Sequence, residues 1–305
     1  MKREVKYTVP PERAGVLVRD ILRRELGVSS TLLRRMKRSE GAILRNQEPV
    51  FVNASVAAGD VLSLVLEDEA AESQHIVPVA GELAVRFENE DVLVVSKPGD
   101  LAVHPSQGHY FDSLANRVMA YYAARGERFV FRPVNRLDRG TSGLMAIAKN
   151  AYAHAFFAEQ MQRGAFKREY LAVTEGVPQP LCGVCRAPIA RKPGSTIARM
   201  VDPSGQMAVT HYETVSVRAG RALLRLRLET GRTHQIRVHM AQLGCPLVGD
   251  FLYGTELAGF PRVALHSATL ITPLPFCSEI LTLCEGLPPE MQKLLEECIT
   301  ILFFK

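Results

Sequence analysis

The chain has 305 residues, which is long for one average domain and suits a large domain joined to a small one. With 47% hydrophobic and 23% charged residues it has a globular composition, and no apolar run is long enough to cross a membrane. The N-terminus lacks the apolar stretch of a signal peptide, so we expect a cytoplasmic protein with no membrane partner.

The net charge of +5 is concentrated at one end of the chain. Residues 1–65 contain 12 Lys and Arg against 7 Asp and Glu, so this segment carries the entire excess and the remainder is neutral overall. Localised basicity is typical of a separate unit that binds a polyanion. We therefore expect a small basic unit with its linker over residues 1–70 and a larger unit over residues 80–305.

The basic segment contains two predicted helices. Apolar residues recur at helical spacing over residues 13–26, and Gly27 is a helix stop. A second helix, Thr31–Lys37, buries two leucines and a methionine and follows serines that can cap it. Its outer side carries basic residues that form either a solvated face or an RNA-binding surface, and the charge excess favours RNA: Arg34, Arg35, Lys37 and Arg38.

The rest of the chain is predicted to be an α+β unit. Strand-like runs outnumber helical patterns and do not alternate with them, which favours a large mixed, mainly antiparallel sheet over a doubly wound one. Helical patterns cover 112–124, 151–163 and 288–301. The strand-like runs are 42–45, 50–52 and 61–66 in the small α/β-type unit, then 92–96, 144–148, 170–174, 222–229 and 263–265.

Two stretches of the larger unit concentrate functional side chains. In residues 133–145, Arg136 and Arg139 flank the single carboxylate Asp138, an arrangement that suits an ionised nucleophile or base, or else a salt bridge that orders a loop. Residues 229–240 place two arginines, two histidines and a glutamine around a glycine turn. The arginines there can bind phosphate or hold a carboxylate.

The sequence offers little support for a metal site or a disulfide. His234 and His239 are five residues apart, a spacing that puts them on one side of neither a helix nor a strand. Cys182 and Cys185 have no second ligand pair and are predicted to lie in a turn. We expect no metal and no structural disulfide.

The motifs resemble those of RluA-type pseudouridine synthases, in the same order along the chain. The similarity covers nearly all of residues 80–280, and residues 13–66 resemble the small RNA-binding fold of ribosomal protein S-four. The strings that carry the first resemblance are Val134-Asn-Arg-Leu-Asp-Arg-Gly-Thr-Ser-Gly-Leu144, Lys167-Arg-Glu-Tyr170 and Thr230-Gly-Arg-Thr-His-Gln-Ile-Arg-Val-His239, supported by Val103-His-Pro-Ser106, Ala187-Pro-Ile-Ala-Arg191, Gly244-Cys-Pro-Leu-Val-Gly-Asp250 and Leu265-His266.

The resemblance implies a reaction that breaks the uridine N1–C1′ bond and rejoins the base through C5, without a cofactor. It assigns Asp138 as the essential carboxylate, which attacks C1′, adds to the base or removes a ribose proton. Tyr170 would stack on the base, and Arg237 would pair with Asp138. The expected RNA contacts are those of Arg136, which would fill the space left by the flipped nucleotide, and of Arg139, Arg232 and His234.

Two positions depart from the family pattern. Many members have histidine where Asn135 stands and an acidic residue where Gly140 stands. Neither position supplies the catalytic carboxylate, so we expect activity to survive. The change at Gly140 removes a negative charge and is expected to affect which RNA is accepted.

Other functions are less well supported by the sequence. Asp138, Tyr170 and Arg237 are all present, which argues against an RNA-binding protein that has lost catalysis. A glycosidic hydrolase usually needs two carboxylates, and the motifs offer only one. A nucleotide-binding enzyme would need a glycine-rich phosphate loop. We expect a monomer that acts on structured RNA, with ribosomal RNA of the large subunit the first candidate and transfer RNA the second.

Overall fold

The structure is a computed structural model that describes residues 2–67, 73, 75–106 and 108–296. In that part of the chain the N-terminal elements form an antiparallel sheet with the strand order β1-β4-β2-β3 and two short helices. Their bounds are β1 (Lys2–Thr8), α1 (Val18–Arg24), α2 (Ser30–Met36), β2 (Ile43–Arg45), β3 (Glu48–Pro49) and β4 (Val61–Glu67).

The second predicted helix is confirmed and the first is shorter than predicted. Ser29 caps α2 by accepting a hydrogen bond from the Leu32 backbone N–H over 3.2 Å, and the apolar side of the helix is buried. Helix α1 begins only at Val18. Gly15 has a φ of +82° and Leu17 is extended, so the backbone before Val18 is not helical. The strand predicted at 50–52 is wrong, since the pairing falls at β3. Strand β1 was not predicted because Val5 is its only buried residue.

The remaining elements belong to a larger α+β unit. In chain order they are β5 (Ala84–Glu88), β6 (Val92–Lys97), α3 (Leu114–Ala123), β7 (Arg132–Pro133), β8 (Ser142–Ala148), α4 (Ala151–Gln162), β9 (Lys167–Glu175), β10 (Cys182–Arg186), β11 (Ile189–Arg191), β12 (Arg199–Val201), β13 (Val209–Arg218), β14 (Arg221–Leu228), α5 (Gln235–Gln242), β15 (Leu265–Pro273), β16 (Ile280–Cys284) and α6 (Pro289–Glu296).

Most of these strands form one sheet of ten strands within the described residues. Its main path is β10-β13-β14-β9-β15-β8-β6-β5, with β16 against β15 and β7 against β8. The pairing is antiparallel except between β8 and β15, where His266 lies opposite Ser142. Gly143 permits this contact, because a Cβ there would lie 2.3 Å from the Ser267 carbonyl oxygen. The predicted α+β class and mainly antiparallel sheet are confirmed.

The sheet is buried on both faces at β6 and β8, which explains the continuous apolar runs of these two strands. Leu93 and Val95 pack in the core beneath α3, whereas the alternate residues Val92 and Val94 pack on the other face, in the core that contains Phe157 of α4. Because both faces of these strands are covered, the accessible residues of this region lie in the loops at the strand ends.

The small unit contacts α4 and the loop after β15. The Tyr152 hydroxyl donates a hydrogen bond to the Leu26 carbonyl over 2.6 Å, and its ring stacks on Phe276 with centroids 4.2 Å apart. Arg3 forms ion pairs with Glu90 at 2.6 Å and Asp91 at 3.4 Å. These contacts join the two units into one packed molecule.

The C-terminal and cysteine predictions are partly corrected. Helix α6 lies within the predicted 288–301, and the end of that range lies outside the described residues. Cys182 and Cys185 lie on strand β10 rather than in a turn, and the described cysteines are free thiols. Over the described ranges, no helix could span a membrane, and no cluster of three or more His, Cys, Asp or Glu could hold a metal.

Candidate active site

Asp138 lies in the loop between β7 and β8, where the chain turns before entering the sheet. The turn is closed by a hydrogen bond from the Thr141 N–H to the Asp138 carbonyl over 3.0 Å. From beneath, Lys97 Nζ donates to the Arg139 carbonyl over 3.1 Å, and Arg262 Nη1 donates to the Gly140 carbonyl over 3.3 Å. Burial lowers the pKa of Lys97 to about 7. The backbone around Asp138 is therefore fixed, while its side chain stays 26% exposed.

Arg237 faces Asp138 from helix α5, but its strongest partner is a different carboxylate. Its Nε and Nη2 donate to the two oxygens of Asp250 over 2.8 and 2.7 Å, and Asp250 is fully buried. Its Nη1 lies 3.6 Å from Asp138 Oδ2, an ion-pair contact rather than a hydrogen bond. Arg237 and Asp138 thus lie close enough for an ion pair but are not hydrogen-bonded, and Asp250 is the residue that holds Arg237 in place.

His234 immediately precedes α5 and reaches the same carboxylate. Its Nε2 lies 3.9 Å from Asp138 Oδ2, and its Nδ1 lies 2.7 Å from the Tyr253 hydroxyl. Burial lowers the pKa of His234; the nearby Asp138 raises it and Arg237 lowers it, with a net downward shift. His239 is buried and bonded to Thr210, so the two histidines do not converge on one point.

Gln235 fixes the glycine turn that carries the second motif. Its side-chain oxygen accepts from the Thr230 hydroxyl and the Arg232 N–H over 2.8 and 3.0 Å. Its amide nitrogen donates to the Val209 carbonyl and the Thr210 hydroxyl over 3.0 Å each. All four bonds satisfy a buried amide, so the turn and the first residues of α5 are held as one rigid piece.

These elements enclose a cleft of about 440 Å³, a size typical of small-ligand sites. Six of the residues singled out from the sequence line it, and Tyr170 is buried in its wall on β9. They are Arg136, Asp138, Tyr170, Arg232, His234 and Arg237. A carboxylate between cationic groups and an aromatic ring is an arrangement suited to a polyanion that presents a planar base.

The other predicted contact residues lie elsewhere. Arg139 does not line the cleft, because its guanidinium bonds to the Asp100 carbonyl over 3.3 Å and to His109 over 2.8 Å. The basic residues of the small unit lie on α2 and just after it, with only Arg35 partly buried: Arg34, Arg35, Lys37 and Arg38.

The structure adds residues whose roles could not be predicted from the sequence. Asp250 ends one of the strings that carry the family resemblance, but its pairing with Arg237 was not predicted. The contact joins helix α5 to a loop 13 residues later. Tyr253 and Arg168 also border the site, the first through His234 and the second as a lining residue. Glu229, the first residue of the second motif stretch, lines the cleft as well. The prediction that the motifs offer only one carboxylate is therefore wrong. Its side chain bonds to His211 over 2.6 Å.

The two departures from the family pattern have structural roles of their own. The Asn135 side-chain oxygen accepts from the Ala146 N–H over 2.9 Å and so joins the loop that carries Asp138 to β8. A Cβ on Gly140 would lie 3.0 Å from Val263 Cγ1. An acidic side chain at position 140 would therefore require a small shift of Val263.

Comparisons with known proteins agree with this site. A family model described as RNA pseudouridylate synthase matches residues 91–242. The RNA pseudouridine synthase YjbO of Bacillus subtilis is 40% identical over 273 residues, 89% of this chain and 96% of that protein. Ribosomal large subunit pseudouridine synthase D of Haemophilus ducreyi is 35% identical, over 76% of this chain and 75% of that protein. The solved structure of human RNA pseudouridylate synthase domain containing 4 is 26% identical, with a TM-score of 0.57, over 70% and 92% of the two chains.

The fold and the cleft define an RNA-modifying isomerase. The chain belongs to the RluA-type RNA pseudouridine synthases, which confirms the family inferred from its motifs. Its substrate is therefore RNA, and its reaction converts uridine to pseudouridine.

Proposed function

We propose that this enzyme modifies specific uridines of large-subunit ribosomal RNA, with Asp138 as the essential carboxylate. The ribosomal target is supported by the likeness to ribosomal large subunit pseudouridine synthase D. The role of Asp138 is supported by one observation above all: its carboxylate is one-quarter exposed in the cleft and faces Arg237, whose hydrogen bonds are directed to another residue. The carboxylate is thus oriented yet free to meet a ligand.

The chemistry that the cleft must support is a rearrangement. The N1–C1′ bond breaks, the uracil turns, and a C5–C1′ bond forms while the C5 proton leaves and N1 gains one, so atoms balance without a cofactor. Asp138 would form a transient bond to C1′ or to the base, or would remove a ribose proton. Tyr170 offers an aromatic face for the uracil. Arg232, which is exposed, would bind the RNA backbone, and Arg136, also exposed, would fill the space that the nucleotide leaves in the stack.

The test uses ribosomal RNA and transfer RNA, freed of protein, from cells that lack the enzyme. We expect wild type to form pseudouridine at defined positions of large-subunit RNA and Asp138→Asn to lose at least about a thousandfold of the rate. Glu213→Gln, an exposed carboxylate paired with Arg225, is the matched control and should retain full activity. Equal rates for wild type and Asp138→Asn would remove Asp138 from the mechanism.

Other outcomes separate the alternatives. Modification of transfer RNA alone would replace the proposed substrate, and binding without modification of any RNA would favour a catalytically silent protein. Release of free uracil, abolished equally by Glu229→Gln and Asp138→Asn, would favour a hydrolase that uses both cleft carboxylates.

We further propose that residues 1–70 form an RNA-binding unit like that of ribosomal protein S-four, ahead of a catalytic unit over residues 80–305. Its support is the net charge of +5 over residues 1–65 and the exposure of Arg34, Lys37 and Arg38. Such contacts would raise affinity for RNA without reading sequence, while the cleft selects the uridine. We propose that the protein acts as a monomer in the cytoplasm.

A further inference from the structure

Two side chains at the cleft, His234 and Tyr253, form a pair that the proposed mechanism does not use. The His234 Nδ1 lies 2.7 Å from the Tyr253 hydroxyl oxygen, and the rings meet edge to face with centroids 5.6 Å apart. His234 also adopts a left-handed backbone, with φ of 57°, which residues with a Cβ rarely do. Strained backbone of this kind persists where its surroundings hold it, often at functional sites.

The hydrogen bonds of Tyr253 determine which nitrogen of His234 carries the proton. The Arg199 backbone N–H donates to the Tyr253 hydroxyl oxygen over 2.8 Å. Having accepted that bond, the hydroxyl can donate its hydrogen to Nδ1 of His234, which then acts as the acceptor. In a neutral imidazole with Nδ1 unprotonated, the proton is on Nε2.

The protonated nitrogen faces the catalytic carboxylate. Nε2 lies 3.9 Å from Asp138 Oδ2, too far for a direct hydrogen bond and far enough for a ligand oxygen to be contacted by both groups. The charged groups around the ring are Asp138, Asp250, Arg199 and Arg237. Burial and the two arginines lower the pKa of His234, the two carboxylates raise it, and the net shift is downward. The ring is therefore neutral at neutral pH.

We propose that Tyr253 is a positioning residue that holds His234 as the Nε2–H tautomer, so that the cleft presents a fixed, neutral hydrogen-bond donor beside Asp138 to an oxygen of the bound uridine. The identity of the ligand rests on the proposed function, whereas the tautomer is a property of the free protein. A neutral donor can hold a uracil or ribose oxygen without competing with Arg237 for the charge of Asp138. The Arg237 guanidinium lies 5.0 Å from the Tyr253 ring centroid, so the same tyrosine supports both partners.

The first test is nuclear magnetic resonance of the free, full-length protein with nitrogen-15-labelled histidine at pH 7.5. We expect His234 to show a protonated Nε2 and an unprotonated Nδ1, with its signals assigned by their loss in His234→Gln. A proton on Nδ1 would overturn the proposal. The tautomer is read on wild type without RNA; only the assignment needs a folded variant, and His234→Asn can replace His234→Gln for that purpose.

The second test removes only the hydroxyl. Tyr253→Phe keeps the ring beside Arg237, so we expect mixed His234 tautomers and a single-turnover rate at saturating RNA about tenfold lower, with less than twofold change in RNA affinity. Tyr121→Phe is the matched control, because its hydroxyl bonds to Glu88 away from the cleft. Its tautomers and rate should be those of wild type. An unchanged tautomer and rate in Tyr253→Phe would contradict the proposed role.

The third test asks which ring nitrogen matters. The amide nitrogen of Gln can reach the Nε2 position, whereas that of Asn reaches only the Nδ1 position. Asn tolerates the left-handed backbone better, so folding alone would favour His234→Asn. We expect His234→Gln to retain about ten times more activity, and the reverse order would refute the donor at Nε2. If wild type modified no RNA, the proposed function would fail while the tautomer result still stood.

Discussion

The cleft has two regions of opposite character on either side of Arg237. On the buried side, Asp250 has no exposed surface and accepts two hydrogen bonds from Arg237 and two from the backbone N–H groups of Leu252 and Tyr253. On the open side, Asp138 is 26% exposed, and its contacts among the described residues are looser: an ion pair with Arg237 at 3.6 Å and the neutral His234 ring at 3.9 Å. The Arg237 guanidinium thus contacts two different carboxylates: Asp250, whose hydrogen bonds are complete, and Asp138, which can still bind a ligand.

This difference indicates how the site combines rigidity with reactivity. Buried charges must be paired and hydrogen-bonded, so the Arg237–Asp250 pair fixes the guanidinium without help from the substrate. Because Arg237 is already anchored, Asp138 can change its contacts during the reaction without releasing a buried charge. We therefore expect substitutions on the buried side to affect stability and those on the open side to affect catalysis or binding.

The largest effect on stability is expected from Asp250→Asn. The substitution keeps the shape of the side chain but leaves Arg237 with a weakened partner, so we expect a loss of about 3 kcal/mol in the free energy of unfolding. Asp138→Asn should change it by less than about 1 kcal/mol, because that carboxylate is partly exposed. Urea unfolding of the two variants and wild type measures both values. Equal losses for the two variants would show that the regions do not differ as described.

Stability should also respond to pH through His266, a buried histidine of β15 that does not line the cleft. Burial lowers the pKa of His266 to about 4, although Glu285 lies 3.7 Å from its Nε2 and opposes the shift. The unfolded chain, with a histidine pKa near 6.5, then binds more protons than the folded protein. Stability is complete above about pH 6.5 and falls by roughly 3 kcal/mol as the pH drops through 4.

The measurement is the free energy of unfolding from pH 7.5 to 4 for wild type and His266→Gln. The variant should lose the contribution of His266 to the slope, while the other histidines whose pKa is lowered by burial keep theirs: His104, His154, His234 and His239. Glu88 titrates separately, because its pKa is about 2; burial opposes this lowering and hydrogen bonds from Lys149 and two tyrosines cause it. A slope that is the same in both proteins would assign the effect to other groups.

The sequence predicted the open side of the cleft better than the buried side. Motif residues such as Asp138 and Arg237 could be recognised from continuous strings, and α2 and β6 followed from capping and apolar runs. Asp250 and Tyr253 make their contacts through side chains in an irregular loop, where no periodicity marks them. The orientation of Arg139 was likewise unpredictable, because it depends on His109, which the fold brings close from 30 residues away.

A smaller effect is expected from the basic helix of the N-terminal unit. Replacing Arg34, Lys37 and Arg38 by Gln should lower RNA affinity about tenfold near 0.1 M salt and reduce the slope of log affinity against log salt by about 2. The rate at saturating RNA should stay within twofold of wild type, because these residues do not line the cleft. A variant with Arg19, Arg23 and Arg24 of α1 replaced by Gln has the same charge and serves as the control for position.

That control decides whether the surface or only the net charge matters. If the α1 and α2 variants lose equal affinity, RNA recognises the charge of the unit and not the face of α2. If neither loses affinity or salt dependence, the unit does not bind RNA.

The smallest effect is expected from single arginines at the open side of the cleft. Arg232 is exposed, and its one described side-chain hydrogen bond runs from Nε to the Met207 carbonyl over 3.2 Å, so its remaining guanidinium donors can reach a phosphate. Arg232→Gln should weaken RNA binding by about 1 kcal/mol, roughly fivefold, without lowering the free energy of unfolding. Arg225→Gln on β14, paired with Glu213, is the matched control. If Arg232→Gln lost as much stability as Asp250→Asn, Arg232 would belong to the buried side of the cleft. The glycine turn that carries Arg232 would then belong to the buried side as well, and not to the open side.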